Sequence, residues 1–298
     1  FMRSPMRRLA IALLFVADSI SLKLNPELQI GRDAATRAGA HLAARVGAQA
    51  IDTKLDDADL VTAVDRECQE IIKHCIRAAY PDHAILGEED IAPGIDAAMH
   101  ALDQVQRKSE WVWIVDPIDG TTNFVAGMPL CAVSIGITRA GERLGAIVYD
   151  PFRTDLFLAW KGSGATLNGL PMAASSVRHL DQAVLCACSP HSSSAMGPAL
   201  RSIQATMPRA RSIRILGSGV LNFAWVACGR LDAYWEPELA PWDSAAGTLL
   251  IQEAGGRVTD LDGSAYCLST RGVLACASGI YTELQRTLED ADAVRSDT

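Results

Sequence analysis

The densest chemistry in the chain lies in Asp116-Pro-Ile-Asp-Gly-Thr-Thr-Asn-Phe124, where two carboxylates stand three positions apart as an apolar run turns through Pro117 and Gly120. Carboxylates that converge on one point suit a hard divalent cation such as magnesium, which takes oxygen ligands and leaves positions for water and phosphate oxygens. The N–H groups of Gly120 and Thr121 stand where a helix start would aim them at an anion. The Thr121 hydroxyl is close enough in sequence to touch a metal-bound water. The same Asp-Gly-Thr-Thr-Asn string is also ordinary turn chemistry, since Asx turns use these residues without catalysis. Glu88 and Glu89 follow Gly87, and Asp243 follows Trp242. Taken singly, a Glu pair reads as a solvated turn and an Asp before an apolar helix as its N-cap.

Composition agrees with metal chemistry. A formal net charge of -8, with no Lys/Arg cluster beyond Arg7 and Arg8, argues against nucleic-acid and anionic-membrane partners. An acidic protein that acts on a phosphate must bring cations to it. The eight cysteines form no CxxC pair and no zinc spacing; most sit in apolar company and read as reduced core residues, which implies the cytoplasm. No histidine falls within a motif, and the tryptophans at 111, 113, 225 and 235 read as core packing. At the N-terminus, Arg3, Arg7 and Arg8 precede a short apolar run over 9–17 that imitates a secretory signal, is too short to span a bilayer, and reads equally as an extra helix or a cloning remnant.

The elements that must position the acids follow from periodicity. A helix is expected over 33–46, from Ala34, Ala35, Ala38, Leu42 and Val46, and stops at Gly47. After a polar acidic loop over 54–59, Thr62 or Asp65 caps a second helix over 66–79, which leaves Asp65 as either a cap or a catalytic group. Strands over 83–87 and 111–115 end at Glu88 and Asp116, so both deliver carboxylates at strand ends. A meander over 131–138, 143–149 and 155–160 follows, with turns at Gly162, Gly164 and Asn168-Gly169. Beyond Pro171, strands (183–188, 212–215, 233–236, 257–259, 273–277) alternate with helices (196–207, 220–228, 243–253). The chain therefore divides into an N-terminal extension over 1–30, an α+β half over 31–170 that carries most of the acids, and an α/β half over 171–298 that completes the site. With no linker between them, the two halves share an interface.

Ile85-Leu-Gly-Glu-Glu-Asp90, Trp113-Ile-Val-Asp-Pro-Ile-Asp-Gly-Thr-Thr-Asn-Phe124 and Pro241-Trp-Asp-Ser-Ala-Ala-Gly247 resemble, in order, the three signatures of the inositol monophosphatase family. The likeness extends to Lys54 with Asp59-Leu-Val-Thr-Ala-Val-Asp65 and covers the chain from about Asp33 to the C-terminal strands. It implies a layered α-β-α-β-α sandwich of the inositol monophosphatase and fructose-1,6-bisphosphatase type, homodimeric, with the site between the halves. It implies two or three Mg2+ ions: one on Glu88, Asp116 and the Ile118 carbonyl, a second on Asp116, Asp119 and Asp243, and a weaker third on Glu88. Asp65 and Thr121 would orient the attacking water, with Glu89 supporting that shell. Lys54 would reach the phosphate or the third ion. Asp119, Gly120 and Thr121 would face the substrate, and Gly217, Ser218, Gly219 and Glu236 would surround the hydroxyls of the leaving alcohol, although a Glu after Trp235 at a strand end also reads as solvated.

The implied activity is metal-assisted hydrolysis of a small phosphate monoester, with lithium inhibiting at the second magnesium position and no covalent nucleophile. An aspartyl-phosphate loop of the D-x-D-x-T kind does not fit, because Pro-Ile separates the acids and Thr121 comes too soon. Inositol 1-phosphate is the leading substrate, with histidinol phosphate, a 3'-phosphonucleotide or fructose 1,6-bisphosphate as alternatives. The reading from another class is a regulatory module partnering RNA polymerase, of the kind attributed to some bacterial relatives. Retention of every acid speaks against a pure pseudoenzyme.

Overall fold

The computed structural model describes residues 25–48, 52–53, 60–190 and 192–294. Lys54, Asp59, His191 and the segment 1–24, on which the signal reading falls, lie outside the described residues. Helix α1 (Pro26–Ala43) starts earlier than the periodicity suggests, because Asn25 accepts a hydrogen bond from the Leu28 N–H at 3.0 Å and Pro26 occupies the first turn, where its missing donor costs nothing. A two-residue ladder pairs β1 (Asp52–Thr53) with β2 (Leu60–Val61). Helix α2 (Ala63–Ala79) is capped by Thr62, with Asp65 reaching back to close a capping box.

The first sheet has seven strands in sequential order: β3 (Ala84–Gly87), β4 (Trp111–Asp119), β5 (Ala132–Arg139), β6 (Glu142–Asp150), β7 (Asp155–Trp160), β8 (Ala165–Leu167) and β9 (Leu170–Pro171). Only β3 and β4 run parallel, and the crossover between them carries helix α3 (Ile95–Lys108). A short helix α4 (Thr121–Val125) follows β4. The second sheet orders its five strands β11 (Ser212–Arg214), β10 (Val184–Cys186), β12 (Ala233–Glu236), β14 (Val273–Cys276) and β13 (Arg257–Thr259), parallel on one side and antiparallel on the other. Its helices are α5 (Ser193–Thr206), α6 (Gly219–Ala227), α7 (Pro241–Glu253) and α8 (Tyr281–Asp290).

Strand alternation sets the layers. On β4, Trp113 and Val115 face α1 and α2 in one cluster, while Val112 and Ile114 face α3 and the start of α7 in another. On β14, Val273 and Ala275 pack with α6 and α7, whereas Leu274 and Cys276 pack with α8. The order is therefore α1/α2, first sheet, α6/α7, second sheet, α5/α8, the expected α-β-α-β-α sandwich. Helix α7 lies between the sheets and is buried almost all round, from Pro241 to Ile251 with Asp243 as the one less buried position. Gly136 and Gly247 permit this closeness, since a Cβ at either would run into Ala245 or Phe223. All eight cysteines are free, and among the described residues no helix is long and apolar enough to cross a membrane.

Candidate active site

On a regular strand, residues three apart point to opposite faces, so Asp116 and Asp119 should diverge. They do not, because the β4–β5 register slips between them: Asp116 stands opposite Ser134 and Asp119 opposite Ala132, one extra residue on β4. This bulge re-aims Asp119, and Pro117, which has no N–H to give the ladder, sits within it. Asp243 arrives from the other side on the third residue of α7, where its Oδ2 accepts the Ala240 N–H at 2.7 Å. The sequence pattern starts that helix at Asp243; Pro241 in the first turn moves the start forward, so the acid lies inside the helix and not at its cap. Carboxylate oxygens of Asp116, Asp119 and Asp243 all lie within 4.8 Å of one another.

Among the described residues that line the surrounding cleft, of about 640 Å3, there is no Lys, Arg or His. Burial, then the charges of Glu88 and Asp119, hold the Asp243 carboxyl well above the usual carboxylate range. Burial likewise pushes Asp119 up to about 6, against hydrogen bonds from Ser218 and from the N–H groups of Val220, Gly219 and Leu221. Carboxylate oxygens that converge in a cleft whose described lining holds no cationic side chain match what a hard divalent cation supplies, so the donor set fits magnesium. Glu88, Ile118, Gly120 and Thr121 line the same cleft, as do Gly217, Ser218, Gly219 and Glu236.

Asp65 turns out to be both a cap and a neighbour of the motif. Its Oδ2 accepts from the Thr62 N–H at 2.8 Å and from the Thr62 hydroxyl, while Oδ1 stands 3.3 Å from the Thr121 hydroxyl. Thr121 Oγ1 also lies 3.1 Å from the Ile118 carbonyl, so its single proton is shared between two acceptors. Asp65 and Glu89 do not line the cleft itself. Glu88 and Glu89 sit on a 3-10 turn anchored from α2: Gln69 Oε1 accepts the Glu89 N–H at 3.0 Å, and buried Lys73 pairs with Asp90 at 2.7 Å.

Asp119 also closes the N-terminus of α6, accepting from the Ser218 hydroxyl and, at 3.1 Å, from the Val220 N–H. Glu236 is not solvated: it ends a central strand, is 8% exposed, and holds the Tyr234 hydroxyl at 2.8 Å through Oε2, while Oε1 has no hydrogen-bond partner. Burial pushes its carboxyl up to about 8; Tyr234 and Cys188 pull it down, and the charges of Glu238 and Asp119 raise it further.

Sequence reasoning quotes Asn123 in the motif but gives it no task. The structure gives it one: its Nδ2 lies 2.9 Å from the Leu130 carbonyl, 2.8 Å from that of Leu216 and 3.1 Å from that of Gly217, tying the motif to the segment before α6. Both flanking glycines are in the left-handed region, Gly120 at φ 85 and Gly217 at φ 70, and a Cβ on Gly120 would meet the Leu130 carbonyl at 2.8 Å. Glu238 and Ser192, also missed, face the cleft from the second half; no spacing signal marks them.

The Inositol monophosphatase family model matches residues 23–293. The chain is 36% identical over 279 residues to the Nus factor SuhB of Vibrio cholerae, covering 91% of this chain and 98% of that protein. It is also 36% identical over 269 residues to the inositol-1-monophosphatase of Synechocystis, covering 88% of each. Among solved structures, the Thermotoga maritima IMPase superposes with a TM-score of 0.79 at 30% identity, over 90% of this chain and 98% of that one. Three signatures in order, an α-β-α-β-α sandwich and a triad of converging aspartates at its cleft accord with that match: the chain belongs to the inositol monophosphatase family.

Proposed function

We propose that this protein is a magnesium-dependent phosphatase that hydrolyses inositol 1-phosphate to inositol and phosphate. The observation that carries the reading is the convergence of Asp116, Asp119 and Asp243 within 4.8 Å in a cleft that also holds Glu236. Glu88, Asp116 and the Ile118 carbonyl would hold one ion and Asp116, Asp119 and Asp243 a second; bound there, the metal neutralises phosphate oxygens, acidifies a water and stabilises the leaving alkoxide. Thr121, between Asp65 Oδ1 and the Ile118 carbonyl, positions the water with a hydroxyl whose own proton is already directed. Gly120 and Thr121 present backbone N–H groups to the phosphate at the start of α4. On the alcohol side, Glu236 and the backbone of 217–219 receive ring hydroxyls, for which a buried carboxylate oxygen with no protein partner is suited. Lys54 and Glu89 complete the proposed assembly, together with a homodimer in the cytoplasm.

The test is phosphate release, with magnesium, from inositol 1-phosphate, histidinol phosphate, a 3'-phosphonucleotide and fructose 1,6-bisphosphate. Highest kcat/KM on inositol 1-phosphate is expected; no release from any ester would refute the phosphatase reading. A second reading, a regulatory module partnering RNA polymerase, draws on the name of the Vibrio cholerae relative, which is as similar as the Synechocystis enzyme. Its test is co-purification of the two purified proteins with Asp243→Asn in place of wild type, which should bind undiminished if binding is independent of catalysis.

A further inference from the structure

The part of the cleft formed around the end of β12 and the first turns of α5 and α6 is built from acceptors. Glu236 Oε1 and Asn222 Oδ1 are buried there without hydrogen-bond partners, in side chains 8% and 2% exposed. Two residues past β12, half-buried Glu238 lines the same cleft. Its Oε2 accepts the hydroxyl of Ser192, which in turn accepts the Ala195 N–H at 3.2 Å and so caps α5. A helix cap thus fixes the position of Glu238. Asp96, at the rim, is compensated by Arg271. Magnesium would compensate the carboxylates of the triad and Glu88. Glu238 has no such partner: among the described residues no Lys, Arg or His lines the cleft, Lys54 and His191 lying outside them.

We propose that Glu238, held by Ser192, is a specificity-determining residue that selects against leaving alcohols bearing a second anionic group. The inference rests on the phosphomonoesterase reading and narrows its substrate class to esters whose alcohol is neutral and rich in hydroxyls, or carries an ammonium. Sugar bisphosphates and phosphonucleotides with another phosphate fall outside it. A carboxylate facing a second anion across a partly wet cleft lowers binding by about tenfold. Because the charge acts before chemistry, the discrimination belongs in KM.

The experiment compares kcat/KM for glycerol 2-phosphate and 2-phosphoglycerate, in which one CH2OH becomes a carboxylate, with inositol 1-phosphate alongside, at saturating magnesium. Wild type is measured against Glu238→Gln, Glu238→Ala and Glu238→Asp. The ratio for 2-phosphoglycerate over glycerol 2-phosphate should rise about tenfold in the Gln and Ala variants, through KM, and stay near the wild-type value in Asp. The rise should shrink at high ionic strength, as screening requires. An unchanged ratio in Gln and Ala overturns the proposal, and so does a rise confined to Ala, which would report shape and not charge. Hydrolysis of the glycerol esters without inositol 1-phosphate turnover would refute the inositol assignment while the charge ratio is still read. Hydrolysis of no ester at all would remove both.

Discussion

Replacing Glu236 by Gln tests whether the cleft holds a carboxylate against its burial. The folded carboxyl lies at about 8 against an ordinary 4.5, because burial disfavours the charged form. Below pH 4.5 the group is protonated in both folded and unfolded chains and has no effect. As pH rises the unfolded chain releases its proton first, so the folded state loses stability until pH passes 8, where the slope ends. At about 1.4 kcal/mol per unit, the loss by pH 7 is about 3 kcal/mol. Gln has no proton to lose and keeps an oxygen for the Tyr234 hydroxyl. Metal-free Glu236→Gln should therefore match wild type at pH 4.5 and exceed it increasingly toward pH 8, by about 6 °C in Tm near neutrality. Thermal unfolding in a chelator across that range is the assay. A difference that does not change with pH, or a variant less stable than wild type at pH 8, would refute the reasoning. Assayed above pH 8, where the group is ionised, the same variant should lose roughly tenfold to a hundredfold in kcat/KM on inositol 1-phosphate, because an amide gives up one acceptor. The loss on a glycerol phosphate should be far smaller; equal losses would mean that Glu236 serves the architecture of the site and not the ring.

Asp116→Asn and Asp243→Asn should each abolish turnover with the fold intact, and metal-free Asp243→Asn should be the more stable for losing a carboxyl that burial and Glu88 oppose; magnesium-dependent activity within about tenfold of wild type would remove the metal assignment. Asn123→Ala strands the carbonyls that its amide reaches and should cost about 2 kcal/mol or more in denaturant unfolding; a change near zero would show that water replaces the amide. His83 is stacked between Tyr80 and Trp111 and accepts the Trp113 indole N–H on Nδ1 at 3.0 Å. Burial holds its pKa below 6.5, so its contribution is present above that pH and lost as pH falls, and His83→Gln should flatten the acid limb of the stability profile. An acid limb that Gln leaves as steep as wild type would place the loss elsewhere.

The acids of the cleft were legible because strand ends and local motifs carry them: Glu88 after β3, Asp116 and Asp119 on β4, Asp243 before an apolar helix; the sandwich was legible only through the likeness of the three signatures to a known family. The convergence itself was not, since it depends on a bulge that only cross-strand register reveals, with Pro117 its one local hint. Helices α3 and α8 were legible in principle, since Ile95, Ala98, Leu102 and Val105, and Tyr281, Leu284 and Leu288, recur at helical spacing. The start of α1 was readable in Asn25-Pro26, but that signal lies in a stretch set aside for its arginines and apolar run. Glu236 reads as exposed in isolation; the centrality of β12 buries it, and sheet order is a long-range property. Asp65 reads equally as a cap and as a site residue, and its two oxygens divide between the Thr62 cap and the Thr121 hydroxyl.

The three carbonyls around the Asn123 amide come from segments of both sheets: Leu130 precedes β5 of the first, whereas Leu216 and Gly217 follow β11 of the second and lead into α6. Prising the two sheets apart at this point would break the bonds to Leu216 and Gly217 together, and the Asp119 contact to Ser218 with them. Breathing motions that admit solvent to the cleft should therefore arise at its more exposed edge, the segment over 91–97. In a hydrogen-exchange experiment the amides of Asn222, Phe124 and Val220, which belong to this junction, should open only with the whole protein, while those of the exposed edge exchange through small local openings. The cleft would then be a fixed seam with a movable edge, and changes in what it admits would arise at that edge without loosening the fold.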